Sequence, residues 1–137
     1  MLNNILTEKE VINVIENFFD VGKTKKFSVL RDIQLNDSMF SSFSDVPPYS
    51  LKDYSTTIAL EELRFASISD YNYELKNIKV TILENTAILT CEFIQNGILV
   101  DNKAFTGECI IINGRATFVL LKKENWKIIH YHLSKIN

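Results

Sequence analysis

At 137 residues, with 46% hydrophobic and 23% charged side chains, the chain has a globular composition, too short for two independent cores and unlike the balance of disordered chains. A net charge of −2 with scattered lysines and arginines offers no basic stripe for phosphates, which argues against a nucleic-acid partner. No 18-residue apolar run and no charged-then-apolar N-terminus occurs, so no membrane span or export signal is expected and the cytoplasm is the default location.

Thr7 and Glu10 form a T-x-x-E capping box, after which Val11, Val14, Ile15, Phe18 and Phe19 repeat with helical spacing, predicting a helix over 7–21 with Gly22 as its left-handed cap. Lys25 and Lys26 read as a solvated turn, and a short helix is expected over 25–31 with Phe27 and Leu30 inward. Residues 38–45 alternate as one strand, Met39, Ser41, Phe43 and Asp45 opposite Phe40 and Ser42, before Pro47-Pro48. Ser50 then caps a predicted helix over 51–67 whose inward stripe is Leu51, Tyr54, Ile58, Phe65 and Ala66, with Glu62 in its middle.

From Tyr71 the apolar period becomes two. A change of parity predicts a bulge near Lys76-Asn77, Glu84-Asn85 a turn, Ala87 to Leu99 a strand, and Asp101-Asn102-Lys103 another turn. A long β segment over 104–123 is interrupted by Asn113-Gly114, which suits either a hairpin turn or a glycine bulge in one bent strand. Glu124-Asn125 makes the last turn before a strand over 126–134. Helices first and consecutive strands after describe an α+β fold, one domain over 1–137, with an antiparallel meander. Cys91 and Cys109 lie in strand-like runs without C-x-x-C spacing or a nearby histidine, so both are expected as buried free thiols, and no metal or cofactor is expected.

A two-residue loop at Glu124-Asn125 would pair Lys123 with Trp126, Leu121 with Ile128, Val119 with His130, Thr117 with His132 and Arg115 with Ser134 on one face. Ala116, Phe118, Leu120, Ile129, Tyr131 and Leu133 would then share the other, wholly apolar face, which burial directs at the helices. The polar face, with Arg115, Thr117, Trp126, His130, His132 and Ser134, is left as a candidate homodimer surface.

The run GRATFVLLKKENWKIIHYHLS at 114–134 resembles the ending of SnoaL-like domains of the nuclear transport factor 2 superfamily, and also that of the association domain of calcium/calmodulin-dependent kinases. FSDVPPY at 43–49 and ISDYNYELKNIKVTILENTAILT at 68–90 are similar to the same group. The resemblance implies a cone, a bent antiparallel sheet wrapped on the N-terminal and central helices with a cavity at its wide end, and favours one bent strand across Asn113-Gly114. It also implies cavity proteins as varied as polyketide cyclases, ketosteroid isomerases, dehydratases and pure oligomerisation modules. The positions matching the tyrosine and aspartate of ketosteroid isomerases are Ile15 and Ser42, and those matching the anion-binding arginines of kinase association domains are Phe118 and Leu133. None can play those roles.

The expected cavity wall is Phe18 or Phe19 with Tyr54, Phe118, Leu120, Ile129, Tyr131 and Leu133, suited to a small apolar ligand. Glu62, Asp45 and Tyr131 are the catalytic candidates, because a carboxyl on an apolar stripe has its pKa raised into the range useful for acid/base work. Glu62 would otherwise pair with Arg64 or a lysine, and Asp45 would otherwise cap its loop. His130 and His132 suit the outer sheet better than a metal or proton relay, having no third ligand. Cofactor-free isomerisation, dehydration or cyclisation stands against a non-catalytic dimerisation module.

Overall fold

A computed structural model describes residues 2–136, with side chains from residue 4 onward. The first apolar repeat folds as α1, Leu2–Thr24, burying Val11, Ile15, Phe18 and Phe19. It starts before the capping box, because positions 2–6 contain no helix breaker and simply continue the helix outward with Ile5 and Leu6 exposed. Gly22 is not its cap. Lys25 takes the left-handed conformation, φ 59°, and its N–H donates to the Val21 carbonyl at 2.9 Å. Gly22 is small for another reason: a Cβ there would stand 2.4 Å from Cδ1 of Tyr71. Lys25 and Lys26 are exposed as expected, but Lys25 is anchored, its Nζ donating to the carbonyls of Phe65 and Ile68, each at 2.5 Å.

α2, Ser28–Ile33, buries Leu30 and Ile33. β1, Ser41–Phe43, is shorter than the alternating run suggested, with Phe40 and Ser42 buried and Met39 exposed. α3, Tyr54–Ser67, is capped by Asp53, not Ser50: its Oδ1 accepts from the Thr56 N–H at 2.9 Å. The buried side chains of α3 are Thr57, Ile58, Glu61 and Phe65, while Leu51 precedes the helix and Ala66 faces solvent.

β2 (Ile68–Leu83), β3 (Thr86–Asp101), β4 (Thr106–Lys122) and β5 (Trp126–Lys135) form an antiparallel meander, completed by β1 pairing parallel to β5, in the order β1-β5-β4-β3-β2. The expected bulge at Lys76-Asn77 is present, and a second interrupts the ladder between Ser69 and Asn72; Asn77 and Asp70 there take φ 52° and 51°. β4 runs through Asn113-Gly114 as one strand with its register to β3 unbroken, Ile94 opposite Asn113 and Phe93 opposite Gly114. The dipeptide is neither a hairpin nor a bulge. The Phe93 ring occupies the space a side chain would need, a Cβ at Gly114 falling 2.2 Å from Cζ.

Between β4 and β5 the predicted register holds for Arg115–Ser134, Thr117–His132 and Val119–His130, then slips, so that Leu120 pairs with Ile128 and Lys122 with Trp126. Ile129 is left as the extra residue of a bulge. Every side chain beyond it changes face. Trp126 and Ile128, expected outside, are buried in the core, and Ile129, expected on the cavity face, is half-buried away from it. Cys91 is buried as expected, but Cys109 is exposed on the distal part of β4.

The concave sheet face closes on α1 and α3 through aromatic rings. Phe18 meets Phe19, Phe65, Phe118 and Tyr131 at centroid distances of 5.2, 5.8, 5.6 and 5.6 Å. One end of the cone is filled by Phe19, Leu89, Phe118, Leu120 and Ile128. At the other, the 17-residue β4 outreaches the 14-residue α3, roughly 55 Å of strand against roughly 21 Å of helix, and a space remains beneath α3.

Candidate functional site

That space is a cavity of about 740 Å³ between α3, the concave face of β3–β5 and the segment after β1. Its apolar wall includes Phe18, Phe65, Phe93, Ile110, Ile112 and Leu133; its polar groups are brought in chiefly by α3, where Glu61 and Arg64 stand one turn apart and face it together.

Glu61 is the buried carboxyl of the site. Gln34, which follows α2, donates from Nε2 to Oε1 at 2.6 Å, and the Tyr131 hydroxyl on β5 donates to Oε2 at 2.5 Å. Gln34 is itself held by donating to the Leu30 carbonyl at 3.1 Å. Burial pushes the Glu61 carboxyl up to about 7, further raised by neighbouring Glu62 and opposed by the two hydrogen bonds that favour the charged form. Tyr131 is raised well above its ordinary value by burial and by the Glu61 charge, so the phenol stays protonated. Near neutrality the pair therefore holds one readily exchanged proton, on a carboxyl, next to a fixed donor.

Around them, Ser42 and Thr57 exchange a hydroxyl hydrogen bond at 2.7 Å, and Gln95 Nε2 donates to the Tyr71 hydroxyl at 2.7 Å. Lys52, buried on the strip bridged to Ser42, donates from Nζ to the Ser50 carbonyl at 3.2 Å, and burial lowers its ammonium pKa. Two more carboxylates stand at the rim, Asp45 and Glu108.

The sequence-derived candidates separate on this frame. Glu62, expected in the inward stripe, sits at the margin of α3 and is ion-paired to Arg31 of α2 rather than to Arg64 or a lysine. Asp45 lies at the cavity mouth, its Oδ2 accepting from the main-chain N–H of Lys135. Tyr131, Phe18 and Leu133 line the cavity. Phe19, Phe118 and Leu120 are fully buried in the filled end, and Tyr54 packs edge-on to Phe40 at 5.6 Å. The positions that align with other family chemistry, Ile15 and Ser42, are buried, the first wholly in the core.

On the outer face, the exposed Arg115 donates from Nε to Ser134 Oγ at 3.3 Å, Thr117 pairs with His132, His130 Nδ1 meets Ser41 Oγ at 2.8 Å, and His132 lies 5.7 Å from the Phe43 ring. Among the described residues no three His, Cys, Asp or Glu side chains cluster as a metal site. Among the described residues no helix is long and apolar enough to cross a membrane.

Glu61 was hidden by a phase error that the sequence could have corrected. At about 100° per residue, Leu51 and Ala66 pull the centre of the α3 stripe toward Glu62; Tyr54, Ile58 and Phe65 alone centre it toward Glu61. Asp53 as the cap removes Leu51 from the wheel, and the exposed Ala66 must leave the stripe as well before its centre moves to the Glu61 side.

A family model described as a SnoaL-like domain matches residues 11–137. No curated protein matches the chain. Among solved structures it is similar to an NTF2-like superfamily protein from Salmonella enterica serovar Typhimurium, TM-score 0.81 at 16% identity over 96% of this chain and 92% of that one. It is also similar to a candidate dehydratase of the NTF2-like family from Streptomyces avermitilis, TM-score 0.77 at 15% identity over 93% and 95%. The association domain of C. elegans CaMKII follows at TM-score 0.72 and 18% identity over 94% and 95%. At these identities the likeness is one of fold.

Proposed function

The chain belongs to the SnoaL-like domain family, and from that premise we propose that its cavity binds a small, mostly apolar molecule and that Glu61 moves a proton on it in cofactor-free isomerase, dehydratase or cyclase chemistry. One observation carries this reading: the carboxyl that borders the cavity is buried, poised at about 7, and held by Tyr131 and Gln34 at a fixed orientation. Ionised Glu61 would take a proton from carbon next to a ligand carbonyl, and the protonated carboxyl would return it elsewhere on the same molecule. Once Glu61 has taken the proton, the Tyr131 hydroxyl is no longer needed by a carboxylate and becomes the donor for the developing oxyanion. The candidate-dehydratase neighbour supports a reaction of this kind. The reduced cysteines suit the cytoplasm.

The test is deuterium incorporation at the α-carbon of cyclohexanone in heavy water, followed by NMR. Wild type is expected to accelerate exchange, with a rate that rises with pH through about 7 as the base form appears. Glu61→Gln should remove the acceleration and Glu62→Gln should not. Exchange that is unaltered by Glu61→Gln contradicts the assignment.

A second reading, an oligomerisation module, has its own support. The outer sheet face carries Ile88, Ile94, Val119 and Leu121 half-exposed, with Phe43 exposed on β1, and one structural neighbour is the association domain of C. elegans CaMKII. A homodimer through this face is compatible with a working cavity on the other.

A further inference from the structure

The cavity contains a cation with no anion to answer it. Arg64 lines the wall one turn beyond Glu61, half-buried, and among the described residues it makes no hydrogen bond and no ion pair. The chargeable groups that bear on it electrostatically are the phenols of Tyr71 and Tyr131, both kept neutral by burial. The cavity's carboxylates do not pair with it: Glu62 is taken by Arg31, Asp45 by the Lys135 N–H, Glu61 by Gln34 and Tyr131, and Glu108, exposed at the rim, makes no ion pair with Arg64. Lys52 adds a second positive group to the same wall. Burial already disfavours the charged guanidinium, which makes an unpaired arginine here costly. A planar fork of five N–H donors matches a carboxylate or a phosphate through two parallel hydrogen bonds, and the largely apolar wall around it suits the carboxylate, the smaller and less heavily charged of the two.

Resting on the ligand-binding reading above, we propose that the molecule the cavity takes is a small carboxylic acid, its carboxylate on Arg64 and its apolar body against Phe18, Phe65 and Ile112. The anion site is built on the helix, since the strand positions Phe118 and Leu133 offer no charge.

The experiment is a titration of the full chain, by calorimetry in slightly acid buffer, with benzoate and hexanoate and with their uncharged counterparts benzamide and hexanamide. Wild type should prefer each acid over its amide by about tenfold or more, the size of a charge-assisted hydrogen-bond advantage. Arg64→Gln should abolish that preference without lowering the melting temperature; Arg64→Lys should retain part of it; Arg115→Gln, on the outer face, should retain all of it. Equal binding of acid and amide by wild type, or a preference that survives Arg64→Gln, overturns the proposal and leaves the ligand-binding reading standing. Binding of none of the four overturns both.

Discussion

Glu61 and Tyr131 concentrate most of what distinguishes this cavity from an ordinary apolar interior. A carboxyl whose folded-state pKa is about 7, against an ordinary 4.5, binds its proton more tightly in the folded than in the unfolded chain. Its contribution to stability is therefore fully present below about pH 4.5 and is lost as pH rises through about 7, a change on the order of 3 kcal/mol. Chemical denaturation across that range should show wild type losing stability relative to Glu61→Gln, and parallel curves would contradict the buried carboxyl. Tyr131→Phe removes a fully desolvated donor to that carboxyl. It should raise the Glu61 pKa further and cost about 1–3 kcal/mol at neutral pH, measured by urea unfolding. At this scale the sequence was partly legible. A titratable acid on the apolar side of the central helix was readable from spacing, but which of two adjacent glutamates it was depended on whether Leu51 and Ala66 belong to the stripe, and one residue rotates the answer by about 100°.

Among the elements, the period-two segments were legible nearly to the residue, because one buried face imposes strict alternation. The exception is instructive. The β5 bulge at Ile129 is invisible to an alternation rule, since Ile128 and Ile129 are interchangeable in hydrophobicity, and only packing of Trp126 and Ile128 into the core decides between them. Asn113-Gly114 posed the reverse problem, a local turn signal overruled by a long ladder on both sides and by the Phe93 ring filling the glycine's empty side. Gly114→Val should therefore destabilise the protein by about 1–3 kcal/mol through overpacking, despite the better strand propensity of valine. Pairing it with Phe93→Ala should recover part of that loss. A neutral or stabilising Gly114→Val in thermal melts would mean that the ring is free to move aside.

For the molecule as a whole, the sheet divides labour between its two faces: the concave one makes the core and the cavity, the convex one presents a mixed surface of Val119, Leu121, Thr117, His130 and Arg115. Light scattering at micromolar concentration should give twice the monomer mass, and Val119→Asp should give monomers that melt as a folded protein does; a wild type that scatters only as monomer removes the convex face as an interface. The order of helices and strands was readable from periodicity, whereas the cavity was not, because it arises from strands that outreach the helix covering them. The proposed proton transfer depends on Glu61 as an exchanging carboxyl in that cavity, and the most direct measurement is the side-chain carboxyl ¹³C titration of the glutamates, assigned by loss of one signal in Glu61→Gln. The expected result is a midpoint near 7 for Glu61. A Glu61 midpoint in the ordinary range near 4.5 would contradict the account.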